Sequence, residues 1–305
     1  MCPDGFYRNL PPLRSRLKFN RRDVLSTLGG AASFAANWSI PARAEVQGGI
    51  TFGLNPLFLE TDIALLRLMQ LYLQQRLMRP VSLVRRRTYQ EITALLLTGQ
   101  LDVAWVCDDP YVQHEDAMEL LAVPVYQHQP LYRTLVVANK ATPARVFDDI
   151  QGTVHAFSDP DSTSGYLVTR YELALRHTTP ADFFREFFFT YAHRNVVRAV
   201  NARLADSGSV DGYVWDVLQQ REPALTENIR VVFQSEFLGF PPIVGLKAAR
   251  DPSLNAAISA AFLDMDRYPL GRQLLAALAL DGFTTAKPEL YHATLTKWRF
   301  VKAQV

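Results

Sequence analysis

Apolar and polar positions along the chain follow two spacings, one typical of strands and one typical of amphipathic helices. From residue 62 to residue 76 apolar residues recur at helical spacing, and Pro80 follows the predicted helix end. Short apolar runs predict strands over residues 49–53, 81–84, 102–106, 120–126, 132–138, 153–157, 187–190, 210–213 and 229–233. Helical spacing predicts helices over residues 62–76, 89–97, 163–176, 194–204, 252–267, 270–280 and 288–301.

This order of elements predicts an α/β fold in which helices cover sheets. The 305 residues suggest about two compact domains. No low-complexity linker separates two such units in the sequence. Two α/β lobes joined directly favour a cleft between them, and small-molecule sites are common at such junctions.

Composition and charge narrow the class of protein further. With 49% hydrophobic and 20% charged residues, the chain is not a disordered tail, a collagen-like repeat or a small disulfide scaffold. The formal net charge is +2, but residues 1–44 hold seven basic and two acidic residues, which leaves 25 basic and 28 acidic residues elsewhere. A mildly acidic body argues against nucleic acid as a partner.

The first 44 residues have the pattern of an export signal. Arg21 and Arg22 precede a weakly apolar run, and an Ala-Arg-Ala sequence ends at Ala44. We predict a twin-arginine signal peptide over residues 1–44 and a periplasmic location. A membrane anchor is the alternative, but the run carries too many polar residues for a span of about 20 apolar ones. Once the signal is removed, Cys107 is the single remaining cysteine.

Residues 158–166 place a cluster of hydroxyl groups between a predicted strand and a predicted helix. The first turn of a helix has unpaired backbone N–H groups, and Ser and Thr are favoured caps. Together with the helix dipole, Ser162, Thr163 and Ser164 therefore form a candidate oxyanion site. Ordinary capping of the helix is the alternative interpretation of the same residues.

The stretch from Asp159 to Leu167 resembles the signature of the phosphate/phosphite/phosphonate-binding periplasmic proteins. The resemblance extends across nearly all of the chain after residue 44. Further matching segments follow in the family's order, at residues 50–56, 89–91, 101–105, 131–134, 192–193, 210–215 and 240–243.

This resemblance implies a two-lobed type II periplasmic solute-binding protein of α/β class, with two mixed sheets flanked by helices, a hinge and a central cleft. Lobe one would comprise residues 45–136 and 234–305, and lobe two residues 137–233. The resemblance also implies that the cleft is lined by Ser162, Thr163, Ser164, Tyr132, His193 and Asp211. Structural alternatives stay open, because Tyr132 can pack in a hinge strand, His193 can cap a helix and Asp211 can be a turn residue.

One segment departs from the family's usual pattern. After the predicted strand 102–106, transport-type relatives carry small residues where this chain has Cys107, Asp108 and Asp109. Ligands in open α/β sheets bind at the carboxyl ends of strands. We therefore predict that the Cys107 thiol faces the cleft. We also expect both aspartates at a rim or cleft position, since an unpaired buried charge is costly. For Cys107 the alternative is a small buried core residue.

Asp108 and Asp109 would disfavour a phosphate or phosphonate dianion, whereas sulfur favours a soft partner. Arsenous acid is uncharged near neutral pH and binds thiols. The combination resembles the arsenite-sensing branch of the family, in which a binding protein with a pocket cysteine signals to a membrane histidine kinase that controls arsenite oxidation. Cys107 would then ligate arsenic as a metalloid, although the neighbouring carboxylates oppose thiolate formation.

The main functional hypothesis is therefore a periplasmic arsenite receptor whose partner is the periplasmic domain of a sensor histidine kinase. The alternative is the substrate-binding component of an ABC importer for phosphate, phosphite or phosphonate, with an ABC permease as partner. An enzyme is disfavoured because the sequence contains no GxSxG, HExxH or GxGxxG motif. We expect no cofactor, no nucleic-acid partner and no membrane insertion after removal of the signal.

Overall fold

The computed structural model describes residues 48–55, 63–249 and 251–304, so the predicted signal segment lies outside the described residues. The strands are β1 Ile50–Leu54, β2 Val81–Arg85, β3 Val103–Trp105, β4 Met118–Val125, β5 Leu131–Tyr132, β6 Thr134–Asn139, β7 Val154–Phe157, β8 Glu186–Phe189, β9 Ser207–Asp211, β10 Ile229–Gln234, β11 Leu238–Gly239, β12 Ile243–Leu246 and β13 Gly282–Thr284. The helices are α1 Ile63–Leu77, α2 Tyr89–Leu97, α3 Asp108–Gln113, α4 Val168–Leu175, α5 Pro180–Phe183, α6 His193–Asn201, α7 Gly212–Arg221, α8 Pro223–Thr226, α9 Pro252–Leu263, α10 Pro269–Leu278 and α11 His292–Lys302. A π-helical turn, Thr163–Leu167, leads into α4, and 3₁₀ turns occur at Phe147–Ile150, Met265–Arg267 and Pro288–Tyr291.

The first sheet has six strands in the order β13-β4-β12-β3-β1-β2. Strand β1 lies parallel to β2 and β3, whereas β12 lies antiparallel to β3 and β4. Its central strands are almost wholly apolar and buried, as expected for strands covered on both faces.

The second sheet has five strands in the order β10-β6-β9-β7-β8. Strand β7 is parallel to β8 and β9, and β6 is antiparallel to β9 and β10. Helices lie between the strands of both sheets along the chain. The prediction of an α/β fold with two mixed sheets flanked by helices is therefore confirmed.

The chain passes from one sheet to the other at two places. It enters the second sheet at Thr134 and leaves it after Gln234, and the short strands β5 and β11 pair antiparallel beside these crossings. The predicted lobe boundaries at 136/137 and 233/234 fall inside β6 and β10. The division into lobes at those residues stays a prediction.

Several local features differ from the sequence predictions. The short helix α3 and the strands β12 and β13 were not predicted, because each is brief and lacks a clear period. The predicted strand 132–138 is split at Arg133 into β5 and β6. By contrast, α2 begins and ends as predicted, because a capping box between Thr88 and Glu91 fixes its start.

Candidate functional site

The predicted site residues meet where the carboxyl ends of strands from the two sheets face each other. Cys107 follows β3 of the first sheet, Thr163 lies just beyond β7 of the second, and Asp211 ends β9. All seven predicted side chains are at most 2% exposed, and these residues are Cys107, Tyr132, Ser162, Thr163, Ser164, His193 and Asp211. Whether they bind a solute stays a prediction, but they occupy an enclosed place.

The hydroxyl cluster combines a capping role with unused hydrogen-bonding capacity. Ser162 Oγ accepts a hydrogen bond from the backbone N–H of Gly165 at 3.0 Å, so the capping alternative holds for Ser162. Ser164 Oγ is buried and has no hydrogen-bond partner in the described part of the chain. A Cβ at Gly165 would lie 1.7 Å from Ser158 Oγ, so this tight turn requires glycine.

The sulfur of Cys107 lies directly against this hydroxyl cluster. The backbone N–H of Thr163 donates to Cys107 Sγ at 3.5 Å, and Thr163 Oγ1 lies 3.7 Å from the sulfur. Burial, reinforced by the Asp108 carboxylate, raises the pKa of the Cys107 thiol well above its ordinary value. The residue is therefore a thiol, and it links the edges of the two sheets.

The charge of Asp108 predicts a rim or cleft position, and the structure shows this residue fully buried rather than at a solvated rim. Three groups satisfy it: Tyr132 donates to Oδ1 at 2.8 Å, Thr294 donates to Oδ2 at 2.7 Å, and Cys107 Sγ lies 3.3 Å from Oδ1. Burial raises the pKa of Asp108, while these hydrogen bonds oppose the rise. A solvated rim position is wrong for Asp108, because hydrogen-bond partners from elsewhere in the chain compensate the buried charge, whereas a cleft position stays a prediction.

Asp109 is also buried, with 4% exposure. Gln113 donates to its Oδ1 at 3.0 Å. Burial, with smaller contributions from the carboxyl groups of Asp108 and Asp161, raises the pKa of Asp109 to about 7. The second aspartate of the segment therefore lies inside the protein as well.

His193 does not cap its own helix, because Ala192 occupies the cap position of α6. Its Nδ1 accepts a hydrogen bond from the backbone N–H of Asp211 at 3.1 Å, and its Nε2 lies 3.4 Å from the hydroxyl of Tyr89. Burial lowers the pKa of His193 to about 3. A neutral ring that accepts at Nδ1 carries its proton on Nε2, which points that donor toward Tyr89.

Asp211 caps the N-terminus of α7 with one carboxyl oxygen, and its other carboxyl oxygen is not used in a hydrogen bond within the described residues. Its Oδ1 accepts from the backbone N–H of Val214 at 3.1 Å, whereas its Oδ2 is buried without a partner in the described residues. Burial raises the pKa of Asp211 to about 8. At neutral pH the side chain is therefore mostly protonated, and it can donate one hydrogen bond.

The site as a whole is polar but poor in positive charge. Among the described residues, the principal influences on the pKa values of Cys107, Asp108 and Asp211 include no lysine or arginine. Three residues of the site were missed by sequence reasoning: Tyr89, Asp108 as a buried acceptor, and Thr294. Thr294 is 186 residues from Asp108, and no local pattern signals that contact.

Comparison with known proteins identifies the class. Residues 52–291 match the model of a family described as the periplasmic substrate-binding proteins of phosphonate ABC transporters. This match covers well over half of the chain, and the chain belongs to this family of solute-binding proteins. The family is periplasmic and consists of binding proteins rather than enzymes.

Solved structures show the same fold at low sequence identity. The binding-protein component of an ABC phosphonate transporter from Pseudomonas aeruginosa superposes with a TM-score of 0.77 at 19% identity, covering 84% of this chain and 87% of that one. A protein from Prochlorococcus marinus in complex with methylphosphonate gives 0.74 at 17% identity, covering 83% and 98%. A Xanthomonas citri protein bound to ATP gives 0.67 at 17%, covering 85% and 99%.

None of the helices in the described ranges combines the length and the apolar character that crossing a bilayer requires.

Proposed function

We propose that this chain is a periplasmic receptor that binds a small uncharged oxyacid, arsenous acid, between the edges of its two sheets. The observation that carries the proposal is the contact between Cys107 and Thr163, whose backbone nitrogen lies 3.5 Å from the sulfur. One residue follows a strand of the first sheet and the other follows a strand of the second. A solute that contacts both edges favours the closed arrangement over an open one.

Arsenous acid would bind Cys107 by condensation. The thiol sulfur forms an S–As bond, one As–O bond breaks, and the thiol proton leaves with the released hydroxyl as water. No electrons are transferred, and the neutral thiol expected from its raised pKa is the reactant. The two remaining As–OH groups each donate and accept hydrogen bonds. This matches the unpartnered Ser164 Oγ and the unpartnered carboxyl oxygen of Asp211.

The charge of the site supports an uncharged solute. A phosphonate dianion in this enclosed place would lie close to the Asp108 carboxyl group, and no lysine or arginine is among the principal influences on the pKa of Asp108. Like charges repel most strongly where water is excluded. A neutral acid avoids this penalty and still uses the hydrogen-bonding groups.

The second proposed element is the partner. We propose that the closed form is recognised by the periplasmic domain of a membrane histidine kinase that controls arsenite oxidation. Its support is the resemblance of the Cys107 segment to the arsenite-sensing branch. Closure would change the outer surface of the protein, and the kinase would read that change.

A second candidate function is the substrate-binding component of an ABC importer for phosphate, phosphite or phosphonate, with a permease as partner. The family comparison favours this candidate over arsenite sensing. One feature of the site also suits it. The N–H groups at the start of the π-helical turn and a protonated Asp211 can donate to the oxygens of an anion.

The two candidates differ in their dependence on sulfur. Thermal unfolding of the purified protein would be followed with arsenite, methylphosphonate, phosphite and phosphate, in a phosphine reductant because dithiols sequester arsenite. We expect arsenite at about 100 times its dissociation constant to stabilise the wild type by about 2.7 kcal/mol. Cys107→Ser should lose this gain and Asp109→Asn, the matched control, should keep it.

An arsenite shift that survives Cys107→Ser would contradict the role of the sulfur. Stabilisation by methylphosphonate, phosphite or phosphate alone, equal in the wild type and in Cys107→Ser, would establish the importer-type solute instead. Mass spectrometry of the native complex would add an independent readout, because a single S–As bond changes the mass by a defined amount.

A further inference from the structure

A further buried polar side chain, that of Asn55, lies at the carboxyl edge of the first sheet. Asn55 directly follows β1 and is only 7% exposed. Neither Nδ2 nor Oδ1 of its amide has a hydrogen-bond partner in the described part of the chain. An unsatisfied buried polar group destabilises a protein by about 1–3 kcal/mol. Within the described residues, no hydrogen bond of the fold accounts for an amide at position 55.

The register of the sheet places Asn55 next to the reactive segment. Leu54 pairs with Trp105 in the parallel ladder between β1 and β3, and the Asn55 backbone N–H donates to Trp105 O at 3.3 Å. Asn55 thus stands beside Val106, one residue before Cys107. Both residues lie at the carboxyl ends of neighbouring strands, where solutes bind in open α/β sheets.

We propose that Asn55 is a solute-contacting, specificity-determining residue contributed by the first sheet. Its amide offers one acceptor and a pair of donor hydrogens to the solute. An oxyacid that still carries hydroxyl groups satisfies both sides of the amide, whereas a fully ionised phosphonate has only acceptors and leaves Oδ1 unpaired. A site built to pair both partners discriminates against a ligand that lacks one of them. The identity of the oxyacid rests on the proposed function.

The second sheet shows the same signature on the facing edge. Ser164 Oγ and Asp211 Oδ2 are buried without partners in the described residues, as Asn55 is. A solute held between the two edges would form hydrogen bonds with these unpartnered polar atoms. Asn55 gives the first sheet a hydrogen-bonding contact in addition to the sulfur of Cys107.

The test replaces Asn55 with leucine, which has a similar volume and no polar side-chain atoms. Wild type and Asn55→Leu would be titrated calorimetrically with arsenite and with methylphosphonate, and the free proteins melted. We expect the affinity for the probe that binds the wild type to fall at least tenfold. The melting temperature of the free variant should be unchanged or higher, because an unpaired amide has been removed.

The matched control is Asn139→Leu. Asn139 is also buried, but its Nδ2 donates to Val200 O at 2.8 Å, its Oδ1 accepts from the backbone N–H of Ala141 at 2.9 Å, and it lies at the end of β6 opposite to the Thr134–Asp211 pair. This substitution should lower the melting temperature and leave the affinity unchanged. If Asn55→Leu does not fold, Asn55→Ala serves for the same measurement.

An affinity of the folded Asn55 variant within twofold of the wild type would overturn the proposal. A different result would contradict the proposed function: the wild type would bind methylphosphonate and would not bind arsenite. In that case a tenfold loss of methylphosphonate affinity in Asn55→Leu supports Asn55 as a contact residue, and an unchanged affinity overturns it. Asn55→Asp, which keeps the shape but only accepts, should weaken methylphosphonate binding more than arsenite binding.

Discussion

Two buried polar clusters in this protein look alike in burial and differ in hydrogen bonding. In the second sheet, His155 Nδ1 lies 2.8 Å from Ser207 Oγ and its Nε2 lies 2.9 Å from Ser209 Oγ, which is itself 2.6 Å from Thr169 Oγ1. Every polar side-chain atom of His155, Ser207, Ser209 and Thr169 therefore has a hydrogen-bond partner. At the junction of the sheets, Ser164 and Asp211 are equally buried but retain polar atoms without partners in the described residues.

The comparison shows which observation separates a structural polar cluster from a candidate binding site. Burial does not separate them, and neither does a shifted pKa, because burial lowers the pKa of both His155 and His193 to about 3. The separating feature is unused hydrogen-bonding capacity, which a folded protein rarely leaves buried without a reason. The two clusters should therefore respond differently to substitution.

The largest expected effect is at the turn that carries the hydroxyl groups. In Gly165→Ala the added Cβ would meet Ser158 Oγ at 1.7 Å and Ser162 Oγ at 2.9 Å. We expect a loss of about 3 kcal/mol of unfolding free energy in urea, because overpacking forces the turn to move. Gly152→Ala is a control with open space around the added atom, although its positive φ of 70° adds some backbone strain. A larger loss at Gly152 would contradict the steric explanation.

A substitution in the cluster around His155, where every polar side-chain atom has a partner, should have the next largest effect on the unfolding free energy. Ser209→Ala removes the partner of His155 Nε2 and of Thr169 Oγ1. Leaving two buried groups unpaired should lower the unfolding free energy by about 2 kcal/mol, measured by urea denaturation. The affinity for the solute should stay within twofold of the wild type. A selective loss of affinity would mean that this cluster belongs to the binding site.

Some features of the molecule could be predicted from the sequence and others could not. The class of fold and the hydroxyl cluster at residues 162–164 could be predicted, because both depend on local order and on residue types. The contacts of Asp108 could not, since Tyr132 and Thr294 come from distant parts of the chain. Unpaired charges avoid burial, but a charge with hydrogen-bond partners does not need to. The fold supplies three such partners for Asp108.

Asn55 illustrates a second limit. Its position after a predicted strand could be read from the sequence, but its lack of partners is a property of the packed structure. The resemblance to the family indicated which segments lie near the cleft. It could not indicate which polar atoms would be left over once those segments packed together.

Asp211 of the junction cluster and His155 of the partnered cluster should affect stability in opposite directions as the pH changes. The raised pKa of Asp211, about 8, means that the folded state holds a proton that the unfolded state releases near pH 4. Stability therefore falls as the pH rises from about 4 to 8. The lowered pKa of His155 acts in the other direction, since its contribution is present above about 6.5 and is lost as the pH falls toward 3.

Between pH 7 and 8 the titration of His155 is complete and the effect of Asp211 remains. We expect wild-type unfolding free energy to drop by about 1 kcal/mol over this interval in urea titrations. Asp211→Asn keeps a good helix cap but cannot ionise, so most of this drop should disappear, and only the smaller contribution of Asp109, whose pKa is about 7, should remain. An equal drop in Asp211→Asn would assign the effect to another group.

The smallest expected change in stability is at Ser164, and it is the sharpest test of the comparison. Ser164 Oγ has no partner to lose in the described residues, so Ser164→Ala should change the unfolding free energy by less than about 0.5 kcal/mol. If the hydroxyl contacts the solute, affinity measured by calorimetry should nevertheless fall about tenfold, the equivalent of one hydrogen bond. Ser209→Ala should give the reverse pattern, with lower stability and unchanged affinity. Should both serines behave alike, unused hydrogen-bonding capacity would not distinguish the binding cluster from the structural one.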